Sequence, residues 1–102
     1  RIFNVPSDIS NITFKNIVFK NAYYISNGAA INFLGANLTI INCTFDNNTA
    51  RSSRGGAIFV NYYEGSVTNI INSSFNKNNA GSDGGALYLS NPNNQQHSCL
   101  FE

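Results

Sequence analysis

A chain of 102 residues that is 42% hydrophobic and 11% charged has the size of one small domain, or of a segment from a longer array. Its net charge of +1 supplies no basic face for DNA, RNA or an anionic membrane, so nucleic acid is excluded as a partner class. No apolar run approaches the roughly eighteen residues of a membrane span, and the first residues lack the charged start and apolar core of a secretory leader. Because the chain starts at Arg1, it is expected to be a piece of a larger protein whose export signal lies outside it.

Nineteen residues are Asn, beside eight Gly and eight Phe, with no Trp and no Met. Asn and Gly disfavour helix interiors and accept left-handed backbone, so a chain this rich in them turns often. Its apolar content is too high for a disordered tract. Many short strands joined at Asn and Gly corners are predicted.

The elements recur along the chain. Phe19, Phe45, Phe75 and Phe101 are spaced by 26, 30 and 26 residues, and Gly28, Gly55 and Gly84 by 27 and 29. The two series interlock, which defines a repeat whose length changes fall in two loops. Residues 1–102 are read as a single segment with coils at roughly 9–33, 34–60 and 61–90 and a partial coil at 91–102. Each coil is predicted to hold about three short strands, such as 38–40, 43–45 and 56–60, because apolar residues there alternate with period two. No strand could bury its apolar side alone. Stacking each one ~4.8 Å above its counterpart gives an all-β solenoid, a parallel β-helix of three to four coils of 26–30 residues.

Aligning the coils assigns roles by column. Phe19, Phe45, Phe75 and Phe101 form the inward column; Asn16, Asn42 and Asn72 form a corner ladder; Gly55-Gly56 and Gly84-Gly85 form tight corners entering a strand. After the glycine corner, Ala30, Ala57 and Ala86, and Asn32, Phe59 and Tyr88, are predicted to face outward. Cys43 and Cys99 fall in one column two coils apart, about 9.6 Å, beyond the reach of a disulfide, so no bridge is expected. A single His97 and no zinc-type spacing leave no expected metal site, and no cofactor is expected. Of five sequons, at Asn11, Asn37, Asn42, Asn47 and Asn72, those at Asn37 and Asn47 are the better glycan acceptors, because Asn42 and Asn72 sit in the ladder.

The strings Phe45-Asp-Asn-Asn48 with Gly55-Gly56-Ala57-Ile58, and Phe75-Asn-Lys-Asn78 with Gly84-Gly85-Ala86-Leu87, resemble the FxxN and GGA(I/L/V) repeats of the chlamydial polymorphic membrane proteins. Leu38-Thr-Ile-Ile-Asn-Cys-Thr-Phe45 is similar to repeats in adhesin-like surface proteins of methanogenic archaea. The resemblance covers residues 9–101; the first copy departs from it at Phe19-Lys-Asn-Ala22 and Gly28-Ala29. It implies a right-handed, pectin-lyase-like parallel β-helix, exported and displayed at the cell surface for cell adhesion.

Polysaccharide lyases and hydrolases share that architecture, but their chemistry needs carboxylates close together. Asp8, Asp46, Glu64, Asp83 and Glu102 scatter over different columns, with Asp46 over Lys20 and Asp83 over Arg54 as expected surface ion pairs. The reading is therefore non-enzymatic: an extracellular stalk or binding surface for attachment to host or neighbouring cells. Its partners would be a cell-surface glycan or protein, and flanking coils of the same parent chain. Phe59 and Tyr88, with Tyr62 and Tyr63 on the longest loop and Tyr23 and Tyr24 on another, are the candidate ligand stripe. The alternative is a fragment of a polysaccharide-active β-helix whose catalytic coils lie elsewhere.

Overall fold

Left-handed backbone sets the corners. In the computed structural model, which describes residues 1–61, 65–90 and, as main chain only, 97–101, Asn16, Asn42 and Asn72 adopt φ of 59°, 51° and 49°. A second corner repeats at Asn21, Asn47 and Lys77 (58°, 56° and 54°), and a third at Gly28, Gly55 and Gly84 (61°, 69° and 64°). Asn tolerates this conformation through its short amide, whereas Lys77 holds it at a cost of about 1 kcal/mol. At the glycine corners a Cβ would run into the carbonyl three residues on, that of Ile31, Ile58 or Leu87. The second glycine of a pair has a different cause: a Cβ on Gly56 would meet the Gly85 carbonyl of the next coil.

Between corners the chain is extended. The first coil carries β1 (Phe3–Val5), β2 (Asn11–Lys15), β3 (Val18–Lys20) and β4 (Tyr23–Tyr24). The second carries β5 (Ile31–Phe33), β6 (Asn37–Ile41), β7 (Thr44–Asp46) and β8 (Thr49–Ala50). The third carries β9 (Ile58–Asn61), β10 (Ser66–Ile71), β11 (Ser74–Asn76) and β12 (Asn79–Ala80), and a fourth opens with β13 (Leu87–Ser90) and β14 (His97–Phe101). Counterparts pair in parallel, giving sheets β1-β5-β9-β13, β2-β6-β10-β14, β3-β7-β11 and β4-β8-β12. The chain is thus a parallel β-helix of about three turns. Each full coil has the three expected strands plus a two-residue rung after the second corner, at Asn21, Asn47 or Lys77.

The core is a set of vertical columns. Phe14, Ile40 and Ile70 stack on one wall, and Ile31, Ile58 and Leu87 with Phe33, Val60 and Leu89 on another. Phe19, Phe45 and Phe75 stack face to face, with centroids 4.7 and 4.8 Å apart and planes within 7°. At the first coil Phe3 turns across the column, 4.9 Å from Phe14 and 6.0 Å from Phe19. Thr68 stands over Leu38 in this interior, fully buried, and its hydroxyl has no hydrogen-bond partner among the described residues. Replacing it with Val, which keeps the branched shape and removes the orphaned hydroxyl, should raise stability by about 1 kcal/mol in a urea melt.

The structure corrects four expectations. Phe101 does not stand over Phe75: β14 pairs so that Phe101 is level with Ile70 and Cys99 with Thr68. The expected register would have set Gln96 level with Ile70, in a wall otherwise built from Phe14, Ile40 and Ile70, and the apolar pattern decides the register. Cys43 and Cys99 therefore do not share a column; Cys43 is a buried free thiol directed at the Phe14 and Ile41 carbonyls. The side chains of Cys99, His97 and Phe101 lie outside the described residues.

Ala30 and Ala57 do not face outward but are fully buried in the core. The Ala57 carbonyl accepts from the consecutive N–H groups of Ala30 and Ile31, and the Ala86 carbonyl from those of Ala57 and Ile58. Two successive donors aimed the same way mean that the chain is still turning, so strand alternation begins one residue later. Lys20 is level with Asp46 but forms no ion pair with it; Asp46 instead accepts from Asn76 Nδ2 at 3.2 Å.

The first coil also begins earlier than the repeat spacing indicates. Phe3-Asn4-Val5 lies level with Ile31-Asn32-Phe33 as β1, a match carried by the alternation alone.

Candidate functional site

The outer surface of the β1-β5-β9-β13 sheet carries one column of mixed chemistry, Asn4, Asn32, Phe59 and Tyr88. Side chains at Ile58 and Val60 point into the core, so Phe59 between them must point out. Asn32 Nδ2 donates to Asn4 Oδ1 at 2.8 Å, and above this amide pair the rings of Phe59 and Tyr88 stack at 5.7 Å with planes 3° apart. Although outward, Phe59 is only 6% exposed, so the ring available to a ligand is the half-buried Tyr88.

The glycine corner brings charge to this ring. The residue before each glycine forms its own column, Asn27, Arg54 and Asp83. The Arg54 guanidinium lies 5.1 Å from the Tyr88 centroid, a cation–π distance, while its Nε is 3.7 Å from Asp83 Oδ2. Ser82 Oγ donates to the same carboxylate oxygen at 3.2 Å. This is the expected Arg54–Asp83 pair, and both partners are well exposed, so it adds little stability and leaves polar groups accessible beside an aromatic edge.

The remaining candidates separate. Tyr62 and Tyr63 lie outside the described residues. Tyr23 and Tyr24 belong to the β4-β8-β12 sheet, where Tyr23 is exposed and Tyr24 lies under the Arg1 guanidinium at 4.2 Å. Among the described residues no three of His, Cys, Asp and Glu gather to hold a metal ion, and no surface cavity is present. The carboxylates are scattered, Asp8 in the turn after β1, Asp46 on β7 and Asp83 in the loop before Gly84, and Glu64 and Glu102 lie outside the described residues.

Asparagine amides line the other outer faces. Asn37 donates to Asn11 (2.8 Å), Asn42 to Asn16 (2.8 Å) and Asn47 to Asn21 (2.9 Å), always from the second coil down to the first. The amide nitrogens of Asn37 and Asn47 are thus committed within the fold. Asn72 is exposed, and its side chain has no partner among the described residues.

One set of residues went unassigned at the level of sequence: the last position of FxxN. Asn48 is fully buried; its Nδ2 donates to the Phe19 carbonyl (3.1 Å) and to Asn78 Oδ1 (2.9 Å), while its Oδ1 accepts from the Ala22 N–H (3.0 Å). Asn78 repeats the reach one coil up, donating from Nδ2 to the Phe45 carbonyl at 2.9 Å. The motif therefore ties the Phe of one coil to the Asn of the next.

Residues 42–61 and 72–90 each match the family model of the Chlamydia polymorphic membrane protein repeat. Each match runs from a corner Asn through the FxxN and glycine motifs to the end of the following outer strand, β9 or β13. No curated protein and no solved structure matches the chain.

Proposed function

We propose that this chain, which carries two Chlamydia polymorphic membrane protein repeats in successive coils of a β-helix, is an adhesive, non-enzymatic segment of a cell-surface protein. The observation that carries the reading is the repeat itself, since its motif residues serve coil stacking and leave the outer faces to recognition. The recognition surface is the Tyr88 edge with Arg54 and Asp83. An aromatic ring can cover the apolar face of a sugar, and a guanidinium and a carboxylate beside it can bond the hydroxyls around that face. Among the described residues the scattered carboxylates support a binding role over catalysis.

The test is binding of the chain to an array of polysaccharides and to cultured cells, alongside Tyr88→Ala and Arg54→Ala variants whose melts are unchanged. Binding should fall at least about tenfold in either variant, the scale of one lost anchor at a recognition surface. Binding that survives both substitutions would move the recognition surface elsewhere on the rod. Release of reducing sugar would overturn the non-enzymatic reading, and silence on every surface would leave a spacer.

A further inference from the structure

Of the nineteen asparagines, Asn27 alone is followed directly by glycine. An Asn-Gly pair is chemically unstable because the glycine nitrogen can reach the amide carbon without a side chain in the way. The Gly28 nitrogen would bond to Asn27 Cγ while the Cγ–Nδ2 bond breaks and ammonia leaves with the displaced amide proton. Water then opens the resulting succinimide at either carbonyl, giving Asp or isoaspartate, with no oxidant or cofactor needed.

The fold holds both reacting ends. The Gly28 N–H, which must lose its proton to attack, donates to the Arg54 carbonyl at 3.0 Å. Asn27 Oδ1 accepts from the Arg54 N–H at 3.1 Å and from Ser53 Oγ, so the side chain is tied to the second coil. The Asn27 carbonyl is held in addition by Arg1 Nη2 at 2.9 Å. Asn27 itself is half-buried. Every bond that restrains this dipeptide comes from outside it, and those to its reacting groups come from the coil above.

We propose that Asn27-Gly28 is a self-modification site, a deamidation site that the second coil keeps closed and that reacts only where this corner opens. The two products differ in what the fold can do with them. Asp at position 27 keeps an acceptor for Ser53 and Arg54 and sets a second carboxylate in the column of Arg54 and Asp83. Isoaspartate lengthens the main chain by one carbon just before Gly28, at a corner where φ is +61° and the coil above fixes the register. One product lets the corner close again, and the other marks it as having opened.

The experiment incubates the chain at mildly alkaline pH, folded and in concentrated urea, and maps conversion at each asparagine by peptide mass, with isoaspartyl methylation as a second readout. In urea, Asn27 should convert fastest of all the asparagines; in the folded chain it should convert at least about tenfold more slowly, because the rate follows the open population. Ser53→Ala should speed conversion in the folded chain several-fold and leave the rate in urea unchanged. Equal rates in the folded chain and in urea would overturn the proposal, as would an Asn27 no faster than the other asparagines in urea. A Ser53→Ala variant that melts normally yet leaves the folded rate unchanged would equally overturn the role of this clamp. If that variant fails to fold, the comparison of folded and urea rates in the unaltered chain still decides.

Discussion

Phe45→Ala is expected to destabilise the fold by roughly 3–5 kcal/mol, read as a shift in the urea midpoint at unchanged slope. Phe45 is fully buried between Phe19 at 4.7 Å and Phe75 at 4.8 Å, so its removal opens a cavity across the middle of the ring column. The cavity cannot collapse easily, because the rings above and below are held by strands hydrogen-bonded at fixed register. Stability of about 5–15 kcal/mol for a domain makes this a large fraction of the whole. Phe45→Leu, which refills part of the volume, should recover much of the loss; an Ala variant with an unaltered midpoint would mean that the column is not the core.

Asn48→Ala is expected to cost about 3 kcal/mol or more by the same measurement, although the change removes a polar group from the interior. The reason is what stays behind. The Phe19 carbonyl and the Ala22 N–H each lose their bond to the Asn48 amide, and a buried group left unsatisfied costs about 1–3 kcal/mol. Asn48→Asp keeps an acceptor for Ala22 but loses the donor to Phe19, and burial opposes ionisation of the new carboxyl. Its destabilisation should therefore grow as pH rises from the usual carboxylate range towards the raised value of the buried carboxyl, whereas that of Asn48→Ala should not. Equal stability of wild type and Asn48→Ala would show that the amide is not buried as described.

The spacing of Phe and Gly made the stacked parallel coils legible, because a period of that length has no other way to bury a two-residue alternation. The corners at Asn16, Asn42 and Asn72 were legible for a related reason: Asn tolerates left-handed backbone, and these three stand at one fixed step before a Phe of the repeat. Asn48 was not, since a motif position reads alike whether its amide faces water or the core, and only the neighbouring coil supplies the Phe19 carbonyl. The register of β14 was hidden by a local likeness, Ser98-Cys99-Leu100-Phe101 imitating Asn42-Cys43-Thr44-Phe45, while the wall it joins favours a different residue level with Ile70. The candidate site was half visible. Alternation placed Phe59 and Tyr88 on the outside, but the cover over Phe59 and the approach of Arg54 to Tyr88 depend on tertiary packing that a single strand pattern does not contain.

The bonds between coils, main-chain and amide alike, lie along the stacking axis, each joining residues about one coil apart in sequence. A pull along that axis therefore loads one interface at a time, opening it as a zip opens, rather than shearing all strands together. Each coil that comes away frees 26–30 residues, roughly 90–100 Å of extended chain. A rod built this way would yield to a sudden tug by lengthening in steps, which limits the tension it passes along.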